Sequence, residues 1–322
     1  MAVNITARSD AAADVPAATA KLIIDGAARQ SAALQLFRKL PMSRRQERIR
    51  VLSALPVAYF VNGDTGTKQT SKGAWVDKLV TAEEIAVILP VPINVIEDVD
   101  YDLWGYLRPD AEEAIGKALD EAIFFGVNKP ATWPTALIPA AISATPSHAV
   151  TRGTATQANG GIAQDFNALV GLVENDGFDV SGIMANRRMR QFLRGARSTQ
   201  GVQLAEFGAN GDTVMGMGVQ YGARGSWPVG GATGTVNPLA LIGDFSQGIL
   251  GVRSDISAKM LDQAVIQDPV TNAIVYNLAQ QDMVALRLVA RFGFQVSNFV
   301  TWEQGNEANR FPFAVFNDAA TV

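Results

Sequence analysis

The stretch from Val51 to Leu89 constrains this chain more than any other. Leu55, Val57, Tyr59 and Val61 alternate with Pro56, Ala58, Phe60 and Asn62. That is the period of a strand, with a proline suited to an edge. The polar run FVNGDTGTKQTSKGAW follows, and Trp75–Val80 and Glu84–Leu89 return as strand. The pattern predicts a long hairpin whose outgoing leg reaches about 40 Å at ~3.3 Å per residue. An isolated two-stranded ribbon is marginally stable in water, so its apolar residues need a second surface. No such layer is encoded nearby, and a neighbouring subunit is the simplest supplier. The polar tip is no phosphate loop, because Lys68 stands where the second glycine belongs and Gly73, Ala74 and Trp75 after Lys72 open no helix.

Composition agrees with extensive burial between chains. Hydrophobic residues make up 48% and charged ones 18%, below the usual charged share of about a quarter. At 322 residues the length suits about two domains. The net charge of −4 supplies no global attraction to nucleic acid or anionic membrane, so sequence-specific DNA reading is not expected. No cysteine is present, which excludes disulfides and thiolate chemistry and fits an intracellular origin. The N-terminus lacks the basic head and apolar core of an export signal. The longest apolar run, IAVILPVPINVI, falls short of the ~20 residues of a membrane span. The chain is expected to be neither exported nor membrane-bound.

The residues argue against enzyme chemistry. His148 is the single histidine, leaving no HExxH zinc site. It lies in the turn-rich ATPSHAVT and reads as a loop residue of no chemical consequence. Glu97, Asp98, Asp100, Asp102, Asp120 and Glu121 are the acids a two-carboxylate hydrolase would draw on. Capping and solvating helix ends is their simpler role. The GxGxxxG spacing of Gly216, Gly218 and Gly222 misses the dinucleotide fingerprint by one residue. No catalytic residue, cofactor or metal is expected.

The rest of the chain reads as a series of segments. Residues 1–48 resemble an arm, with a weak helical pattern through Leu22, Ile23, Leu34 and Phe37. Its basic cluster, Arg38, Lys39, Arg44, Arg45, Arg48 and Arg50 against Glu47, suits a solvated face or an acidic or phosphate partner. Apolar residues three and four apart predict a helix from Asp110 to Phe125, about 24 Å long. Pro109 starts or bends it, and Gly126 ends it. A further helix carries Phe166, Leu169, Val170 and Val173, and a short one carries Arg187, Arg188, Arg190, Arg194 and Arg197. Near the end, Val284, Leu286, Leu288, Ala290 and Phe292 form one strand face opposite Arg287 and Arg291. That face is expected under the helix ending at Gly126.

Four motifs in this order, GAWVDKLVTAEEIAVILPVPINVIEDV, LRPDAEEAIGKALDEAIFFG, ALIGDFSQGILGVRSDISAKM and DMVALRLVARFGFQV, resemble the major capsid proteins of tailed bacteriophages. The resemblance covers roughly residues 40–305. It implies an α+β, Hong Kong 97-like fold: an N-terminal arm (1–48), an extended β-hairpin loop (49–80), a peripheral domain (81–149) with a spine helix (102–126) over an antiparallel sheet, an axial domain (150–260) and a return to the peripheral domain (261–322). It further implies hexamers and pentamers of an icosahedral virion shell around double-stranded DNA bound without sequence specificity, assembled in the host cytoplasm. A portal, a separate scaffolding protein and a decoration protein are the partners it brings. Tyr59, Asn62, Asp64, Lys68, Lys72 and Trp75 would then touch the next subunit, and Arg187, Arg188 and Arg194 would make axial contacts. An encapsulin-type nanocompartment shares the fold and is the alternative. The lysine, asparagine and buried glutamate of a cross-link do not assemble convincingly from Lys68, Lys72, Lys78, Asn298 and Asn306.

Overall fold

The computed structural model describes residues 31–61, 66–98, 103–198, 200–202, 204, 207–208, 210–222, 225–227, 237–268 and 271–318. Two sheets dominate. The first has the order β1 (Arg38–Met42), β9 (Gly248–Leu261), β12 (Met283–Val296), β3 (Ala74–Pro92), β2 (Gln46–Ala54). It is antiparallel except at β1, which runs parallel to β9 from the pair Arg38–Ile249. β3 is a single strand of 19 residues, about 60 Å long. Only its second part pairs with β12, from Ala82–Gly293 to Pro92–Met283. Its first part pairs with β2 alone and projects as a ribbon.

The predicted helix is present and begins earlier than the spacing required. Preceded by α2 (Ile93–Asp98), α3 runs Leu103–Asp120 through Pro109 and ends in a π-turn over Glu121–Phe125. Gly126 closes it with φ 79°, a left-handed value that costs glycine nothing. Ala111, Ile115, Leu119 and Ile123 bury against Leu286, Leu288, Ala290 and Phe292 of β12. The strand face and helix stripe read from the sequence therefore meet as expected.

The second sheet has the order β4 (Ala149–Thr151), β13 (Phe313–Asp318), β8 (Asn237–Gly243), β5 (Gly182–Ala185), β7 (Met217–Tyr221), β6 (Thr213–Val214). Its middle is buried on both faces. Phe313 and Val315 enter the core under α3, while Ala314 and Phe316 enter a second core with Phe166, Leu169 and Val173 of α5 (Gly161–Asn175). Two-sided burial explains why FAVF and LALI are continuous apolar runs rather than alternating ones. α4 (Leu137–Ser143) and α6 (Met189–Gly195) flank these cores, and β10 (Val265–Gln267) with β11 (Ile274–Asn277) form a separate small hairpin.

Three boundaries differ from the sequence reading. Residues 31–48 are no free arm: α1 (Ala32–Leu36) and Phe37 are buried in the first core, and β1 is a sheet strand. Residues 1–30 lie outside the described residues. β9, expected with the axial segment up to 260, belongs to the first sheet, and β13, expected with the return segment, belongs to the second. Strand partners remote in sequence decide membership, and local pattern carries no such information.

Phe37 is the pin of the first core, its ring 5.5–6.5 Å from those of Phe124, Phe245, Phe294 and Phe313. A Cβ on Gly248 would stand 2.2 Å from that ring. Gly248→Ala is therefore expected to destabilise the chain by about 1–3 kcal/mol through overpacking, read as a lowered midpoint in chemical denaturation. An unchanged midpoint would mean that the ring has room to move.

Candidate assembly surface

The ribbon is anchored at its root and free beyond it. Lys78 Nζ pairs with Glu307 at 2.7 Å, Gln295 Nε2 donates to Leu79 O at 3.0 Å, and Val300 N–H donates to Leu52 O at 3.0 Å. Past Ala54 and Ala74 the regular pairing stops. The strand expected at 55–61 is instead an extended leg without ladder pairing, and the true outgoing strand is Gln46–Ala54. Alternation alone cannot separate a paired strand from an extended leg, and Pro56 has no N–H to donate. Among the described residues the two legs bond to each other, Val57 N–H to Ser71 Oγ at 2.6 Å and Tyr59 OH to Gln69 O.

This finger exposes large side chains. Phe60 is fully exposed and Trp75 is 66% exposed, with Val57, Tyr59 and Val61 also open to solvent. Monomeric proteins rarely present so continuous an apolar patch without a partner. Lys68 and Lys72 are exposed on the returning leg, and Asn62 and Asp64 lie outside the described residues. Lower on the ribbon, Trp75 and Asp77 form with Arg50 an open hollow of about 620 Å³.

The basic residues divide among different places. Arg38 and Lys39 are on β1, Arg44 is in the following turn, and Arg45 meets Glu83 at 3.2 Å. Arg48 and Arg50 on β2 approach Asp77 at 4.0 and 3.7 Å. This cluster is carried by sheet strands and not by an arm. In the second unit Arg187 is exposed, Arg188 reaches Asp318 at 3.6 Å beside the closer Arg152, and Arg194 Nε donates to Arg190 O. Arg190 stacks over Tyr221 at 4.1 Å and meets Asp212 at 3.2 Å. Burial raises the Tyr221 hydroxyl pKa against the opposing pull of Arg190.

Two buried polar sites escaped the sequence reading. His148 is 1% exposed, its Nε2 2.9 Å from Asp176 Oδ2 and its Nδ1 2.9 Å from Pro146 O. Asp176 Oδ2 also accepts from Phe311 N–H at 2.7 Å, and its carbonyl accepts from Thr301 Oγ1. Nearby, Arg310 donates to the carbonyls of Asn298 and Gly305, and burial holds its pKa below the usual arginine value despite Glu307 and Asp176. The turn composition around His148 contained no sign of this, because its partners are remote in sequence. His148→Ala is expected to cost about 3 kcal/mol by leaving the Asp176 carboxylate buried with fewer donors, and His148→Gln less. Denaturation midpoints of both variants against the parent test the order, and equal losses would assign the effect to lost volume alone.

Among the described residues no group of three or more metal-ligating side chains comes together, and no helix is long and apolar enough to cross a membrane. The sequence profile of the Phage capsid family matches residues 12–301. The chain belongs to that family. The capsid protein is 25% identical over 279 residues to the major capsid protein of Staphylococcus phage 80alpha, covering 86% of this chain and 79% of that one. A solved structure from Microbacterium phage Oxtober96 is similar with a TM-score of 0.76 and 38% identity, over 90% of this chain and 91% of that one. One from Mycobacterium phage Cain has a TM-score of 0.75 and 30% identity, over 91% and 92%. The exposed finger of this capsid protein thus belongs to a molecule whose family works in many copies.

Proposed function

We propose that this phage major capsid protein follows the Hong Kong 97-like plan, with residues 49–80 as the extended loop, 102–126 as the spine helix and the second sheet as the core of the axial domain. The loop of each copy lies across the next, joining chains into hexamers and pentamers that close into an icosahedral shell. The observation that carries this reading is the finger: an extended, solvent-exposed leg with Val57, Tyr59, Phe60 and Val61, bonded only to its own second leg among the described residues. Lys68 and Lys72 then lie in a polar rim, and Arg187, Arg188 and Arg194 face neighbours around the capsomer centre. The shell encloses double-stranded DNA held without sequence preference, takes a portal, and assembles with a separate scaffold in the host cytoplasm, with a decoration protein as a further exterior partner. Cryo-electron microscopy of particles formed by the full chain tests the plan. Each finger should be seen on a neighbouring copy; a finger folded onto its own subunit would overturn it.

A further inference from the structure

We propose that residues 297–311 form a brace that fixes the direction of the finger by tying its root to the second sheet, with Thr301, Glu307 and Arg310 as its positioning residues. The geometry of the brace is independent of the shell reading, and only its consequence for assembly rests on that reading. The segment leaves β12 in the first sheet and enters β13 in the second. On its way it grips both legs of the ribbon root. Val300 N–H donates to Leu52 O at 3.0 Å, and Glu307 holds Lys78 Nζ at 2.7 Å. β12 no longer pairs with β3 at this level, since that ladder ends at Ala82–Gly293. The brace therefore stands where a third strand would, beside a ribbon otherwise two strands wide and easily twisted.

Its footing is the C-terminal end of α5. Thr301 Oγ1 donates to Asp176 O at 2.7 Å, Phe311 N–H donates to Asp176 Oδ2 at 2.7 Å, and the Phe299 ring lies 5.5 Å from that of Phe178. The approach is close enough to demand glycine at 177, where φ is 78° and a Cβ would stand 2.8 Å from Thr301 Cβ. Between root and footing the brace is stiffened by Arg310, which is 4% exposed. Arg310 donates to the carbonyls of Asn298 and Gly305, each at 3.0 Å, and Asn298 Nδ2 donates back to Arg310 O at 3.2 Å. These bonds lie within the segment, so the buried guanidinium sets the shape of the brace itself. Leverage gives that shape its importance. Leu52 to Val61 spans about 30 Å at ~3.3 Å per residue, so a tilt of about 10° at the root would carry the end of the finger about 5 Å. A gap of about 1 Å already forfeits up to half of a contact's attraction.

The lack of native cysteine lets two spin labels report on this directly. The full chain, unassembled and labelled through Thr67→Cys on the finger and Asn167→Cys on α5, is expected to give one narrow distance distribution by electron paramagnetic resonance. Thr301→Val with Glu307→Ala removes a footing bond and a root bond and should broaden the distribution about twofold or more. Thr301→Ser keeps the hydroxyl and should leave the width parental. Asp120→Ala, which strips a buried acceptor from α1 instead, should lower the melting temperature without broadening the finger. Under conditions in which the parent forms particles, the Thr301→Val, Glu307→Ala chain is expected to yield about tenfold fewer. A parental width in that double variant, a parent already broad, or equal broadening by Asp120→Ala overturns the proposal. So does full particle yield from a chain whose finger has broadened. If the widths respond as expected and the parent itself makes no particles, the brace stands and the shell reading falls.

Discussion

A chain lacking residues 62–73 is expected to fold and to form no closed shell. The deletion removes the tip and most of the returning leg, while the buried residues of both cores lie outside it. The bonds Val57–Ser71 and Tyr59–Gln69 are lost, but both are internal to the finger and hold nothing else. The ribbon root keeps Lys78–Glu307, Leu79–Gln295 and Leu52–Val300. Assembly bears the whole effect. Tyr59 and Phe60 remain in the sequence, but the second leg that bonds Val57 and Tyr59 is gone; displacing an aromatic anchor costs an interface about 2 kcal/mol, and each contact then weakens roughly thirtyfold. A closed shell needs every such contact at once, so particles are expected to vanish where capsomer-sized or smaller species remain. Circular dichroism and melting of the deletion chain should match the parent, and electron micrographs should show no particles. Shells of parental size would remove the finger from the assembly mechanism.

Asp120→Ala is expected to give the largest loss of stability from a single side chain. The Asp120 carboxylate is fully buried and accepts from Ser31 Oγ at 2.7 Å, Ala32 N–H at 3.0 Å and Ala33 N–H at 3.0 Å. It thereby completes the N-terminus of α1 from the far end of α3, while Ser31 Oγ accepts from Leu34 N–H at 3.2 Å. Alanine leaves three buried donors without this acceptor, at about 1–3 kcal/mol each before relaxation. The expected total is about 3–5 kcal/mol, the range for breaking a buried charged network. At 2–4 °C per kcal/mol the melting temperature of the unassembled chain should fall by roughly 6–20 °C. Asp120→Asn keeps one acceptor oxygen and should fall between the two. A shift of less than about 2 °C for alanine would mean that water satisfies the site.

The two effects differ in how visible they were beforehand. The finger announced itself in residues 51–89, because a long alternating segment around a glycine-rich polar tip has few ways to fold. Its inner boundary did not: Gln46–Ala54 pairs as strand with Arg48 and Arg50 on it, where the basic run suggested an arm. Asp120 was visible only as one acid of a cluster, and its role as a cap is real but serves a helix 84 or more residues earlier in the chain. His148 looked inert because a turn-rich context describes neighbours in sequence, whereas Asp176 and Phe311 reach it through space.

By itself the amino-acid sequence determined the periodic elements: the α3 stripe ending at Gly126, the apolar face of β12 above it, the projecting hairpin and the absence of cysteine chemistry. These follow from local sterics and from burial that repeats every two or 3.6 residues. Only the tertiary structure decided that α1 and Phe37 join the core and β1 the first sheet, that β9 and β13 belong to opposite sheets, and that Asp120 and His148 hold distant segments together. Such pairings depend on which remote groups arrive at the same place, and a buried carboxylate or imidazole is satisfied by geometry that no local pattern encodes.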